Sequence, residues 1–405
     1  MALNSTQEFL LDSPSLKLKS LPPLSLYIHI PWCIKKCPYC DFNSHEIHNE
    51  ENQVPEDEYV NALIRDLESA LPNVWGRRLT SVFFGGGTPS LLGAKTIDRL
   101  LSAVRTLLPL EHFAEVTLEA NPGTFETQKF NEFRAAGINR LSIGIQSFNR
   151  QHLSVLGRVH DDREAYRAVE IALKNFDNIN LDLMYALPTQ TVADAQADIE
   201  IACSLGVTHI SAYHLTLEPN TLFYRFPPKL PNDEQAEQMQ DIIEQTTANH
   251  GYHNYETSAF AQTGKVSRHN MNYWLFGDYV GIGAGAHSKI SFADRILRQV
   301  RYKQPKEYLI RAKVGKSLTQ TQHELTLTDR SFEFMMNALR LTGGFDATLF
   351  QQRTGLPITV VRDQLREAEQ RGLLIYDSSR IKPTVLGRRF LNDLLQIFLP
   401  ETNLP

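Results

Sequence analysis

Long apolar runs are missing from this chain. Its most apolar stretches, such as LLIY and SVFF, fall far short of the roughly 20 residues that a membrane-spanning helix requires, so no span is expected. The N-terminus, MALNSTQEFLLDSPS, carries acids where a secretory leader would carry bases, and the expectation is a cytoplasmic protein. Cysteine is scarce: four residues in 405, three of them between positions 33 and 40 and Cys203 alone in a helical pattern. That is no disulfide framework, and it points to a reducing compartment. A charge surplus is also lacking, since a net charge of -5 gives no general attraction to nucleic acid or anionic membrane.

What is present suits a globular protein, with 42% hydrophobic residues to fill a core. β-rich runs stand at LSLYIHIP, SVFFGG, EVTLEANP, RLSIGIQSF, INLDLMYALP and HISAYHLTLE, six in all, separated by helical patterns. In AKTIDRLLSAVRTLL, residues Ile97, Leu100, Leu101, Val104, Leu107 and Leu108 fall on one helical face. Strand followed by helix, repeated, means a parallel sheet. At each strand's C-terminal end stands a notable group: the cysteine loop, Gly85 to Gly87, Glu119, Gln146, Asp182 and His214. All six can converge only if the sheet curls, which gives an α/β fold with a partial (βα)6 TIM-like barrel.

The expected organisation is an N-terminal arm over 1–22, the barrel over 23–260, an aromatic and glycine-rich connecting region over 261–316, and a C-terminal domain over 317–405. The last reads helix, helix, helix, hairpin, helix, a winged-helix-like α+β outline. Arg353, Arg362, Arg366, Arg371, Arg380, Lys382, Arg388 and Arg389 make it locally basic. Asp363, Glu367, Glu369 and Asp377 are interleaved, so a solvated mixed surface is expected rather than nucleic-acid binding.

The chemistry concentrates in YIHIPWCIKKCPYCDFNSH. Cys33, Cys37 and Cys40, spaced C-x3-C-x2-C, can reach three irons of a 4Fe-4S cube that is ordinarily held by four cysteines. The fourth iron is then open to the amino and carboxylate groups of S-adenosylmethionine. The duller alternatives are incidental thiols, or zinc on three cysteines plus His29 or His45, although the spacing is unlike the usual paired C-x2-C arrangement. FFGGGTP follows the second strand, where glycines let backbone approach a ligand. Glu119, Gln146 and Asp182 could hold ribose hydroxyls and the amino acid moiety, with Arg158 on the carboxylate.

Together YIHIPWCIKKCPYC, GGGTPS, LEANP, LSIGIQSFN and DLMYALPTQT resemble the radical S-adenosylmethionine (SAM) proteins related to oxygen-independent coproporphyrinogen III oxidase, over nearly the whole chain. The resemblance implies cluster ligation by Cys33, Cys37 and Cys40, and Tyr27, Tyr39, Gly86, Gly87, Thr88 and Glu119 around the bound cosubstrate. Gln146, Arg158 and Asp182 match residues that contact a second such molecule in the oxidase. The oxidase continues its motif to C-x3-C-x2-C-x-C, where this chain has Phe42, and the arm before the first strand is shorter. HNMNYW matches a signature of the heme chaperone branch and implies heme on His269, Asn270, Tyr273 and Trp274. His287 is a second candidate ligand. The resemblance therefore implies a heme carrier with three cofactors, 4Fe-4S cluster, SAM and heme. Its implied partners are heme-accepting proteins, with respiratory-chain components at the membrane among them, and a reductant such as flavodoxin or ferredoxin. A monomer or cofactor-dependent dimer is expected. The alternative is the oxidase itself, which decarboxylates porphyrinogen propionates to vinyl groups; no residue is singled out as catalytic.

Overall fold

The computed structural model describes residues 18–47, 54–124, 127–377 and 379–399; the first 17 residues of the expected arm lie outside them. Six strands run parallel and side by side in chain order: β1 Leu24–Ile30, β2 Leu79–Gly86, β3 Leu110–Ala120, β4 Arg140–Gln146, β5 Ile179–Tyr185 and β6 His209–His214. Helices Glu56–Val74, Ala94–Leu107, Thr127–Ala136, Asp162–Asn175 and Val192–Ser204 make the crossovers. In Ala94–Leu107 the residues Ile97, Leu100, Leu101 and Val104 are buried, the face selected by the sequence pattern. Reciprocal capping boxes, Asp161 with Glu164 and Thr191 with Asp194, start the last two of these helices. Leu26, Ile28, Val82, Phe84, Leu118, Leu141, Ile143, Leu181 and Ile210 belong to one continuous core against these helices. No helix among the described residues is long and apolar enough to cross a membrane.

The sheet extends further than the six strands that the sequence suggests. β7 His253–Glu256 and β8 Ala259–Ala261 continue it beyond β6, while β9 Asp278–Ile282, β10 His287–Ser291, β11 Ile296–Arg301 and β12 Thr319–Glu324 continue it beyond β1. The resulting order is β12-β11-β10-β9-β1-β2-β3-β4-β5-β6-β8-β7. β9 is a seventh parallel strand, with Leu24 opposite Asp278 and Ile28 opposite Ile282. Its glycines dilute the β signal for a packing reason. A Cβ on Gly281 would sit 2.0 Å from the His287 carbonyl oxygen, so only glycine fits there.

A separate core follows β12. Helices Leu327–Ala338, Ala347–Thr354 and Arg362–Gln370 pack with a three-stranded antiparallel sheet of Phe345–Asp346, Arg380–Pro383 and Leu374–Tyr376. Phe334 is its centre, edge-to-face with Phe345 at 5.0 Å, Phe350 at 5.2 Å and Phe276 at 5.8 Å. Two of the basic residues noted above face the barrel side: Arg389 bonds Glu237 and Asp241, and Arg388 bonds Asn254.

Candidate functional site

The ends of all six parallel strands line one cavity of about 360 Å³, which is what a curled sheet requires. Cys33, Cys37 and Cys40 reach it from the loop after β1, Gly86 from β2, Glu119 from β3, Ser142 and Gln146 from β4, Asp182 from β5, and Tyr213 and His214 from β6. Gln146 gets there through a bulge between Gly144 and Gln146 that puts its backbone in the left-handed region, φ 69°.

The cysteine loop is shaped by its own polar groups. Trp32–Cys33 pairs with His45–Glu46, the Cys40 N–H donates to the Cys37 carbonyl at 3.1 Å, and the Lys36 ammonium donates to the Phe42 and Ser44 carbonyls. His29 Nε2 donates to the Asn43 carbonyl at 2.9 Å, which leaves Nδ1 to accept from the Tyr27 hydroxyl at 3.0 Å. Both nitrogens of His29 are thereby committed, and it does not complete a zinc site. Among the described residues, no three or more His, Cys, Asp and Glu side chains converge closely enough to hold a single metal ion.

All four cysteines are unpaired. Cys33 accepts from Thr88 Oγ1, Cys37 accepts from Arg158 Nη1, and Cys40 Sγ is in hydrogen-bond contact with Ser44 Oγ, each at 3.6 Å. Burial pushes the Cys33 thiol up to about 11, with Thr88 opposing and the other two cysteines reinforcing; burial raises Cys40 as well. Such thiols stay protonated at neutral pH until a cationic centre displaces the protons, which couples metal loading to proton release.

The glycine turn is built against this loop. Gly87 N–H donates to the Ile30 carbonyl at 2.7 Å and Thr88 N–H to the Trp32 carbonyl at 2.8 Å. A Cβ on Gly86, at φ 115°, would meet the His29 ring at 2.5 Å, and one on Gly87 would meet the Trp32 carbonyl at 2.5 Å. Gly86 N–H donates to Glu119 at 3.1 Å. Burial, then repulsion from Asp182, pushes the Glu119 carboxyl up to about 8 against that bond. Burial raises Asp182 too, opposed by donors on Ser142 and Asn180. Arg158 donates to Asn121 Oδ1 at 2.5 Å and to the Gly144 carbonyl at 2.7 Å, while its buried Nε has no partner. Three unpaired cysteines, two buried acids of raised pKa, a glycine cradle and an orphaned guanidinium N–H fit a cluster with an amino acid cosubstrate.

Tyr39, Gly87, Thr88 and Arg158 also line this cavity; Tyr27 does not. Its ring lies one layer down in the barrel, beneath Gly85. Asn121 was hidden from sequence reasoning in EANP, although it bridges Thr88 and Arg158. Its only signal is a strand-terminal Asn before Pro.

The HNMNYW residues lie at the opposite end. Helix Arg268–Trp274 packs under the starts of β1 and β2, where Asn272 donates to Ser25 Oγ at 2.9 Å and His269 Nδ1 is 3.5 Å from Ser81 Oγ. His269 is only 6% exposed, stacked on Phe83 at 4.4 Å and edge-on to Tyr273 at 4.9 Å. Burial pushes its pKa down to about 3, so its imidazole is neutral. Trp274 lies under the Arg340 guanidinium at 4.4 Å. The helix's other face, Met271 and Leu275, lines a groove of about 620 Å³ with Tyr255, Leu341, Phe345 and Leu349. Asn270 is half-buried, and His287 stands exposed at the start of β10, away from both cavities.

Residues 27–202 match the family model of the radical SAM superfamily, and residues 325–390 match the HemN C-terminal domain. Heme chaperone HemW of Escherichia coli (strain K12) is 47% identical over 391 residues, covering 94% of this chain and 99% of that protein. Heme chaperone HemW of Bacillus subtilis (strain 168) is 35% identical over 385 residues, covering 93% and 99%. Among solved structures, the radical SAM enzyme coproporphyrinogen III oxidase (HemN) from Escherichia coli superposes with a TM-score of 0.79 over 93% of this chain and 90% of that one. At 24% identity that likeness is one of fold.

Proposed function

The chain belongs to the HemW family of radical SAM proteins, and from that premise we propose that it binds heme and passes it to acceptor proteins. What carries the reading is the combination in one chain of a three-thiol cavity at one end of the barrel and the HNMNYW helix with its apolar groove at the other. Cys33, Cys37 and Cys40 would hold a 4Fe-4S cluster. With SAM bound beside it, that cluster would supply one-electron chemistry, fed by a reductant of the flavodoxin or ferredoxin class. Gly86, Gly87 and Thr88 line the cavity with backbone that a cosubstrate can approach closely, Arg158 offers its unpaired Nε to a carboxylate, and Glu119, Gln146 and Asp182 receive ammonium and hydroxyl groups.

Glu119 makes that binding pH-dependent. Its pKa lies above the ordinary carboxylate range, so the charged acceptor form grows as pH rises through about 8. Cosubstrate affinity is expected to rise across that window by up to about tenfold per pH unit and then level off. Glu119→Gln, uncharged throughout, should flatten the rise. Calorimetric titration at several pH values decides, and a flat profile in the unmodified protein would remove Glu119 from the site.

For heme, the segment His269, Asn270, Tyr273 and Trp274 supplies a neutral imidazole, the ligating form, next to aromatic surface. His269 must leave Phe83 for its ring to reach an iron. Hemin titration followed in the Soret band should show saturable binding by the full-length protein. His269→Ala should weaken it by about tenfold or more and shift the band. An unshifted band with unchanged affinity would place the iron on another residue.

A further inference from the structure

The two ends of the barrel are joined by an unbroken run of hydrogen bonds through its interior. It starts at Asp182 on the three-thiol cavity, where Oδ2 accepts from Ser142 Oγ at 2.8 Å and Oδ1 accepts from Asn180 Nδ2 at 2.9 Å. Asn180 Oδ1 lies 2.6 Å from His209 Nδ1 and accepts from Ser211 Oγ at 3.0 Å. His209 Nε2 lies 2.9 Å from the Tyr255 hydroxyl. The Asn270 side chain and the Ser267 backbone lie on the side of the same hydroxyl and favour its charged form. Tyr255 lines the groove beside Met271 and Leu275.

Each link in this run has a single chemical sense. A carboxylate only accepts, so Asn180 must turn its amide nitrogen to Asp182 and its oxygen to His209. His209 then carries its proton on Nδ1, and its bare Nε2 accepts the hydrogen bond donated by the Tyr255 hydroxyl. Asn270 of the HNMNYW segment and Ser267, which caps its helix, face the Tyr255 oxygen with the same polarity. Asn180, His209 and Ser211 are sealed from solvent, so a broken link would leave a buried group unpaired. Polarised bonds in series strengthen or weaken together.

We propose that Asn180, His209 and Tyr255 are positioning residues that couple the two sites, so that hydroxyl donors arriving at Asp182 loosen the hold of Tyr255 on Asn270 and ease the helix Arg268–Trp274 open for heme. The coupling rests on the heme-carrier reading above. Donors that draw on the Asp182 lone pairs weaken its bond from Asn180. The Asn180 oxygen then becomes a poorer acceptor for His209, His209 Nε2 a poorer acceptor for Tyr255, and the Tyr255 oxygen a poorer acceptor for Asn270. The helix loses part of what ties His269 into its stack on Phe83. By linkage, an occupied groove must raise affinity at the cavity by the same factor.

The test titrates hemin into cluster-reconstituted full-length protein with and without saturating SAM, following the Soret band. Hemin affinity should rise about fivefold with SAM, and SAM affinity should rise equally with hemin. In His209→Leu, which touches neither cavity, and in Tyr255→Phe, which keeps its ring, both factors should fall to about one. Coupling absent from the unmodified protein, of opposite sign, or surviving in either variant overturns the proposal. Histidine nitrogen NMR, with the His209 signals identified by their loss in His209→Leu, gives a readout without hemin. Nδ1 should carry the proton and the Nε2 shift should move on addition of SAM. An Nε2-protonated ring, or signals indifferent to SAM, overturns the proposal, whereas failure of hemin to bind with these shifts intact defeats only the carrier reading.

Discussion

Anaerobic reconstitution of Cys37→Ala should yield protein with less than about a tenth of the iron and sulfide of the unmodified chain, without the charge-transfer absorption of a cluster. Three thiols are the smallest set that leaves one iron of a cube open, so losing one leaves two irons without protein ligands. The loss should be specific. Cys37 is half-buried in a loop stabilised by backbone and lysine contacts, and Arg158 keeps its bonds to Asn121 and Gly144 when the sulfur goes. Thermal stability before reconstitution should therefore move by less than about 1 kcal/mol. Cys203, buried in helix Val192–Ser204 among core residues, supplies the contrast. Cys203→Ala should keep the full complement of iron while losing stability to the cavity it leaves. Full iron and sulfide in Cys37→Ala would refute the ligand assignment.

The fold and one half of the site were legible because both are written in local patterns. Parallel strands buried on both faces read as apolar runs, and crossover helices carry a 3.6-residue stripe, so β1 to β6 were visible. Their ends announced the cavity through residues unusual for a strand end: clustered cysteines, three glycines, Glu119, Asp182. β9 was not visible, since close approach to His287 demands glycine at 281 and glycine reads as turn. The HNMNYW segment was legible as a motif and illegible as geometry. Nothing local in HNMNYW says that His269 turns inward onto Phe83 while Met271 turns outward to the groove. The interior run is hidden for the same reason: His209 meets Asn180 across 29 positions and Tyr255 across 46, pairings that only the curled sheet creates. Phe42 shows the opposite case. Its 59% exposure beside the cysteines is unusual for a phenylalanine, and the sequence already marked it as the place where the oxidase motif continues with cysteine.

Removal of Arg301 should have the largest effect on stability. Asp66, on helix Glu56–Val74, is wholly buried; it accepts from Arg301 Nε at 2.7 Å, the Tyr308 hydroxyl at 2.9 Å and the Gly283 N–H at 3.1 Å. Arg301 also donates to Gln299 and Thr319. These bonds fasten β11, β12 and helix Pro305–Lys313 to the barrel. Two turns earlier on the Asp66 helix, Tyr59 donates to the His29 carbonyl at 2.8 Å, beneath the cysteine loop. Arg301→Met leaves a buried carboxylate without its cation and should cost about 3–5 kcal/mol, a large share of a stability of about 5–15 kcal/mol. Burial already raises the Asp66 pKa and Arg301 opposes that rise, so the variant's carboxyl should titrate higher still. A carboxyl whose folded pKa exceeds its unfolded value contributes most when protonated, and that contribution is lost as pH rises through the folded pKa. The deficit should therefore be largest near neutral pH and shrink as pH falls toward the unfolded value of about 4. Asp66→Leu combined with Arg301→Met removes both charges and should recover part of the loss, because an isosteric apolar pair avoids the desolvation that a lone charge suffers. Denaturant unfolding of the single and double variants at two pH values measures this. A single variant as stable as the unmodified chain, or a double variant weaker than the single, would show that packing rather than the ion pair holds the added strands in place.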